Sequence, residues 1–316
     1  MSPDYNKKTL NHYPHKTTPC LNYSNTTHDQ KITINQRKKV ALLGLNGAGK
    51  STFLRQLIGE INFPGTKVFY QENSVSEAQP NTKIKPESLE FKKRMGYQAD
   101  TMLSLSNINV AQYLNLCAGL KGITNDQADT SIEKITHDWQ LENILNKPLE
   151  NLSKGNMQKA AIAQVFINKP DFLFFDEPCQ SLDPLEQELF MHNIANLDQF
   201  SICMFSTHNV NHALDVADDI ILIHQSKIAY FYEENNSNNF LMFSFEPKQK
   251  ITKILDEEDI VYQNLENGLY KLNNADASAI KSVIESNKSA FEFCLPEKEA
   301  LMPLFRLLAS NEWKLA

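Results

Sequence analysis

The sequence predicts an α/β fold, a parallel sheet between layers of helix, followed by a smaller α+β unit. Three observations predict it. From Lys39 to about Leu222, short β-rich runs (VALLG, FLFFD, SICMFST, DIILI) alternate with helical stretches, the pattern of parallel βα units. The run EENNSNN, Glu233 to Asn239, has the composition of a linker. After it, strand-like and helical segments follow in the order βαββαβ plus one more helix, the order of a ferredoxin-like α+β domain. The expected division is an extension over 1–19, a large domain over 20–232, a linker over 233–239 and an accessory domain over 240–316.

Each element has its local reason. The polar N-terminus, MSPDYNKKTLNHYPHKTTP, lacks the apolar core of a signal peptide, and His12, His15 and His28 have no paired ligand spacing that would suggest a metal. Asn73 to about Lys93 is polar, contains Pro80 and Pro86, and reads as an inserted loop with one short helix. Past the linker come FLMFSFE as a strand and a helix near KITKILDE. Two strands in IVYQNLENGLYKLN turn at Asn267-Gly268; a helix near ASAIKSVIES, a strand AFEFCL and the amphipathic helix EALMPLFRLLA complete the chain.

Composition narrows the function. At 316 residues with 41% hydrophobic residues, the chain has enough material for one large core plus an appendage. A net charge of -7 without a basic stripe argues against nucleic acid as a partner, and Arg37-Lys38-Lys39 reads as a solvated turn. No apolar run approaches the roughly 20 residues that cross a bilayer. The five cysteines, at 20, 117, 179, 203 and 294, lack CxxC spacing, which favours a reducing cytosol and idle thiols.

The most informative stretch is GLNGAGKST: Gly44, Leu45, Asn46, Gly47, Ala48, Gly49, Lys50, Ser51 and Thr52. It satisfies GxxxxGK[ST] between a strand and a helix. There, backbone N–H groups and the helix N-terminus cradle phosphates, Lys50 reaches the β/γ-phosphates, and the Ser51 hydroxyl reaches Mg²⁺. Such a loop fits a kinase, a GTPase or a motor equally well.

Three later segments discriminate. LSKGN, Leu152, Ser153, Lys154, Gly155 and Asn156, heads a helix; an apolar strand then ends in Asp176-Glu177-Pro178. SLDP follows with Ser181, Leu182 and Asp183, and FSTH ends the next strand at His208. In this ordered set the sequence resembles the ATP-binding cassette (ABC) family, the ATPase subunits of ABC transporters, over about Tyr23 to Tyr232. The resemblance implies a P-loop NTPase with a RecA-like core, a helical subdomain and an N-terminal β-subdomain, using ATP and Mg²⁺. It implies that Asp176 holds Mg²⁺ with Ser51 and that Glu177 polarises the attacking water. His208 resembles the switch histidine at the γ-phosphate. Ser153 and Gly155 resemble the signature that contacts ATP bound by the opposite subunit, with Ser181 to Asp183 as the D-loop.

Several positions depart from the family pattern. The signature is LSKGN, with Lys154 and Asn156 at its variable positions. Counting back without gaps from NVAQYL places Asp100 where the family carries a glutamine that contacts Mg²⁺, with Gln98 two residues early. Tyr23 resembles the aromatic that stacks on adenine, and ordinary strand packing is the competing reading. The ending EALMPLFRLL resembles that of bacterial exporter ATPases. The resemblance therefore implies an ATPase that dimerises with a second copy of itself. It would drive a separate integral membrane permease, as an exporter, from the cytoplasmic face of the inner membrane. A soluble cassette ATPase regulating an assembly such as ribosomes or a cofactor scaffold is the alternative.

Overall fold

The computed structural model describes residues 17–26, 30–35, 38–74, 82–100, 105–123, 125–197, 202–234, 238–265, 267–273 and 276–310. His12, His15, His28 and Pro80 lie outside them. The chain opens with β1 (Thr17–Asn25), β2 (Gln30–Ile34) and β3 (Lys39–Leu43). Next come α1 (Lys50–Leu57), β4 (Thr66–Ser74), β5 (Thr82–Ile84), α2 (Leu89–Arg94) and β6 (Met95–Gln98). α3 (Val110–Leu120), α4 (Asn125–Asp138) and α5 (Lys154–Ala163) form a helical insertion before β7 (Phe172–Phe175). α6 (Pro184–Ala195), β8 (Ile202–Thr207), α7 (Val210–Val216), β9 (Asp219–His224) and β10 (Lys227–Glu233) follow. The last part comprises β11 (Phe240–Phe243), α8 (Lys248–Glu257), β12 (Tyr262–Asn264), β13 (Leu269–Leu272), α9 (Ala277–Ser286), β14 (Phe293–Pro296) and α10 (Glu297–Ala309).

The central sheet runs β10-β9-β3-β8-β7-β6, parallel except for β10. Its inner strands β9, β3, β8 and β7 are buried almost throughout because both faces are covered. Phe172 and Phe174 enter the core shared with the antiparallel sheet β2-β1-β4-β5 and α1, while Leu173 and Phe175 enter the core shared with the helices. The third sheet runs β12-β13-β11-β14, every pair antiparallel, the order a split βαβ chain adopts. Met242, Tyr270 and Leu272 pack under α8 and α9 on one face. Leu241, Phe243 and Leu269 face Leu301, Leu304 and Leu308 of α10, joined to the core of the helical layer. The final helix is thus a shared layer between the C-terminal sheet and the larger domain.

Within the polar segment expected as an inserted loop, residues 82–93 form regular elements. β5 pairs with β4, and Ser88 caps α2 by accepting the Phe91 N–H at 3.2 Å. β1 begins at Thr17, inside the expected extension, because it pairs with β4 along its full length. Glu233 pairs with Asp219 at the end of β10, and Asn239 is buried, so the expected linker is tied down at both ends. All five cysteines are unpaired, and burial pushes the Cys179 and Cys294 thiols up to about 12. Among the described residues, no helix is long and apolar enough to cross a membrane.

Candidate functional site

The site forms at the carboxyl ends of β3, β7 and β8, where an open parallel sheet places its loops together. β3 delivers Gly44, whose N–H donates to the Thr207 carbonyl at 3.2 Å. A Cβ on Gly44 would lie 2.6 Å from the Ile223 carbonyl oxygen, so only glycine fits. Gly47 and Gly49 take φ of 77° and 104°, open to glycine at no steric cost. Leu45 is half-buried, Asn46 exposed and Ala48 buried. Lys50 opens α1 and is buried. Its Nζ donates to the Gly44 and Leu45 carbonyls at 2.8 and 3.1 Å and lies 2.8 Å from Glu177 Oε1, off the hydrogen-bonding direction. Ser51 is exposed and hydrogen bonds to Asp176; Thr52 is half-buried.

Asp176 and Glu177 follow β7. Asp176 is buried and accepts the Ser206 hydroxyl at 2.7 Å. Burial pushes its carboxyl up; the Ser206 and Ser51 hydroxyls oppose this, and the charges of Asp100 and Glu177 add to it. Glu177 has φ of 46°, a left-handed conformation that costs a non-glycine residue about 1–2 kcal/mol. Ser206 Oγ fixes it by accepting its N–H at 2.7 Å. Glu177 Oε2 sits 3.1 Å from Nδ1 of His208, whose side chain is half exposed. Lys50, Glu177 and His208 therefore form one chain of contacts across three loops.

Gln98 and Asp100 both leave the end of β6, but only Gln98 is hydrogen bonded to the Asp176 segment. It is 1% exposed, its Nε2 donates to the Asp176 carbonyl at 3.2 Å, and its own carbonyl accepts the Asp176 N–H at 3.0 Å. Asp100 is exposed and lines a cleft of about 510 Å³ with Lys154, Gln158, Glu177, Gln180 and Ser181. β6 ends at Gln98, so Asp100 lies in the loop two residues beyond the strand, where its charge still acts on Asp176. Tyr23 is 4% exposed and packed edge-to-face on Phe53 at 4.9 Å, a core residue of β1, which agrees with strand packing and not with stacking on adenine.

Ser153 caps α5, its Oγ accepting the Asn156 N–H at 3.2 Å. Leu152 packs on the core and Lys154 is exposed. A Cβ on Gly155 would lie 3.0 Å from the Ser181 carbonyl oxygen, so the LSKGN turn is pressed onto the loop holding Ser181, buried Leu182 and Asp183, the cap of α6. Ser206 was not singled out from sequence, although a serine in a fully buried strand beside His208 was the available signal. Gln158, donating to the Pro178 carbonyl at 3.0 Å, gave none.

The donor chemistry suits a magnesium–phosphate pair. Ser51 and Asp176 offer hard oxygens side by side, and nearby Asp100 and Glu177 add negative charge. Among the described residues no group of three or more His, Cys, Asp or Glu could hold a metal alone. The cation would need ligand oxygens from phosphate and water, the usual arrangement for Mg²⁺.

The family model described as ABC transporter matches residues 27–180. The chain is 26% identical over 197 residues to the uncharacterized ABC transporter ATP-binding protein YhaQ of Bacillus subtilis, spanning 62% of each protein. It is 29% identical over 228 residues to the ABC transporter ATP-binding protein NatA of the same organism, covering 68% of this chain and 88% of NatA. A bacterial ABC transporter cassette solved as a dimer shares the fold at a TM-score of 0.55 and 18% identity, over 68% of this chain and 99% of that one. With the phosphate loop, the Asp176-Glu177 pair and His208 converging at the carboxyl ends of β3, β7 and β8, residues 27–180 carry a domain that matches the ATP-binding cassette of ABC transporters.

Proposed function

We propose that this chain is the ATP-binding and ATP-hydrolysing subunit of a transporter. Two copies close head to tail around two ATP molecules, and the cycle drives a separate integral membrane permease. The observation that carries the reading is the Lys50–Glu177–His208 chain of contacts in front of a polar cleft. The loop N–H groups and the N-terminus of α1 receive phosphate oxygens. Lys50 exchanges its carbonyl and Glu177 partners for the β- and γ-phosphates. Glu177, released from Lys50 and still held at its backbone by Ser206, then polarises water, with His208 orienting the γ-phosphate. A Mg²⁺ ion held by Ser51 and Asp176 would offset charge on the phosphates, with Gln98 or Asp100 supporting it.

The exposed cap at Ser153 and the D-loop at Ser181 to Asp183 face the partner copy's nucleotide in this reading, which makes each site composite. The resemblance of the C-terminal ending to exporter ATPases supports outward transport, from the cytoplasmic face of the membrane. Sizing chromatography tests the cycle. Glu177→Gln is expected to bind ATP, lose turnover by roughly 10²–10⁴-fold and accumulate as an ATP-dependent dimer. Adding Ser153→Arg should abolish that dimer. Equal dimerisation of both variants would reject the composite site, and wild-type phosphate release from Glu177→Gln would reject the role of Glu177.

A further inference from the structure

We infer that the C-terminal unit is a positioning element of the nucleotide site: Glu297 clamps β10, and through the β9–β10 turn this holds Ser226 against the phosphate loop. The inference rests on reading Gly44 to Thr52 as the ATP-binding loop. The β9–β10 hairpin touches both ends of that loop. A Cβ on Gly44 would meet the Ile223 carbonyl oxygen at 2.6 Å; one on Gly49 would meet Ser226 Oγ at 2.8 Å and Ser226 Cα at 2.9 Å. The Ser226 N–H also donates to the Ala48 carbonyl at 2.8 Å. The loop thus has the tip of this hairpin as its back wall.

That tip is made by Gln225 and Ser226, with φ of 48° and 60°. Neither is glycine, so both hold a disfavoured conformation that persists only where the surroundings impose it. The two-residue hairpin turn between His224 and Lys227 calls for this conformation, and β10 has a second anchor further along, beyond a register shift between Ile228 and Tyr230. Tyr230, buried in mid-strand, donates its phenol to Glu297, the first residue of α10. The same carboxylate accepts Asn239 Nδ2 at 3.2 Å and Lys271 Nζ at 2.9 Å, and the Glu297 N–H donates to the Asn239 carbonyl at 3.0 Å. β10, the crossing chain and β13 therefore converge on one buried carboxylate, placed where the dipole of α10 favours negative charge. α10 also packs on α7, the helix that follows His208. The hairpin behind the phosphate loop and the helix behind His208 share one support, and it belongs to the C-terminal unit.

Coupling of this kind is reciprocal: a clamp that improves nucleotide binding must itself be tightened by nucleotide. The test measures Mg-ATP affinity and steady-state turnover of the full chain as Tyr230→Phe, Ser226→Gly and the double variant. Each single variant should raise the Kd and KM for ATP about fivefold, with kcat within about twofold of wild type. The double variant should be no worse than either single, because both break one route. A role confined to stability would lower Tm and leave KM alone. In amide hydrogen exchange, Mg-ATP should slow exchange in β10 and α10 of the wild type and fail to do so in Tyr230→Phe. A wild-type KM in Tyr230→Phe, or additive effects of the two substitutions, overturns the clamp. Lys50→Ala separates this from the underlying reading. Undiminished ATP binding by Lys50→Ala, or none by wild type, rejects the nucleotide loop itself. A Lys50→Ala chain that loses binding beside a Tyr230→Phe chain that behaves as wild type rejects only the clamp.

Discussion

Two carboxylate clusters among the described residues, around Glu297 and around Glu177, are completed to different degrees. Around Glu297 the carboxylate receives a phenol, an amide and an ammonium, and it stands at a helix N-terminus. Around Glu177 one oxygen is close to Lys50 yet off line, the other meets a half-exposed histidine, the backbone is left-handed, and a cleft opens in front. A fully satisfied polar cluster fixes one geometry, whereas a partly satisfied one has partners to exchange. The first suits a joint between parts of the molecule, and the second suits a site that a ligand rearranges.

The comparison is broken most directly by removing each carboxylate. Glu297→Ala strips one acceptor from three donors and should cost about 3–5 kcal/mol, as breaking a buried ion pair does. Glu177→Gln should change stability by less than about 1 kcal/mol, because Lys50 keeps two carbonyl acceptors. Urea unfolding without nucleotide compares the two. Equal costs would mean that the Glu177 cluster is as closed as the Glu297 cluster.

Ser206→Ala sharpens the comparison inside the nucleotide site. Ser206 both donates to Asp176 and accepts from the Glu177 N–H, so its loss leaves a buried carboxylate and a buried amide each short of a partner. The expected cost is about 1–3 kcal/mol. The Mg²⁺ concentration for half-maximal turnover should also rise, since the Asp176 carboxyl, already raised by burial, loses a group that opposes the shift. An unchanged urea midpoint together with an unchanged Mg²⁺ requirement would show that Ser206 holds neither acid in place.

The two clusters also differ in how they are written in the sequence. Asp176, Glu177 and His208 directly follow apolar strands and Lys50 closes the loop after β3, so their meeting at the carboxyl ends of the sheet is readable from β3, β7 and β8 alone. Ser206 was less readable, because its meaning depends on which face of a two-sided strand it occupies. Gln98 is the last residue of β6 and Asp100 lies two residues on, so spacing alone does not separate their roles. The Glu297 cluster left no local trace: Glu297 reads as an ordinary acid of a first helical turn, and Tyr230, Asn239 and Lys271 reach it from three distant parts of the chain. The C-terminal elements themselves were legible, down to the Asn267-Gly268 turn with φ of 48° and 81°. What periodicity cannot give is the packing of α10 between the two units.

The smallest expected effect concerns the hairpin that joins the clusters, and it is a pH dependence. His224 ends β9 immediately before the Gln225–Ser226 turn; its imidazole is buried, and burial pushes its pKa below the usual histidine range. Among the described residues Nε2 has no hydrogen-bond partner, so the fold holds the ring neutral. The unfolded chain takes up the proton near pH 6.5, the ordinary histidine value. The native chain takes it up only at lower pH. Between those values the unfolded state binds more protons, so stability rises with pH there. It is fully present above about pH 6.5 and is lost as pH falls through the depressed native value. His212 shifts in the same direction through burial, against the opposing charge of Asp215, and adds to the slope. Urea midpoints of the wild type should therefore fall from about pH 7 to about pH 5, and His224→Gln should show a shallower fall. An unchanged slope in His224→Gln would mean that protonation at this position is free of cost, and that the hairpin tip is open to water rather than held shut behind the phosphate loop.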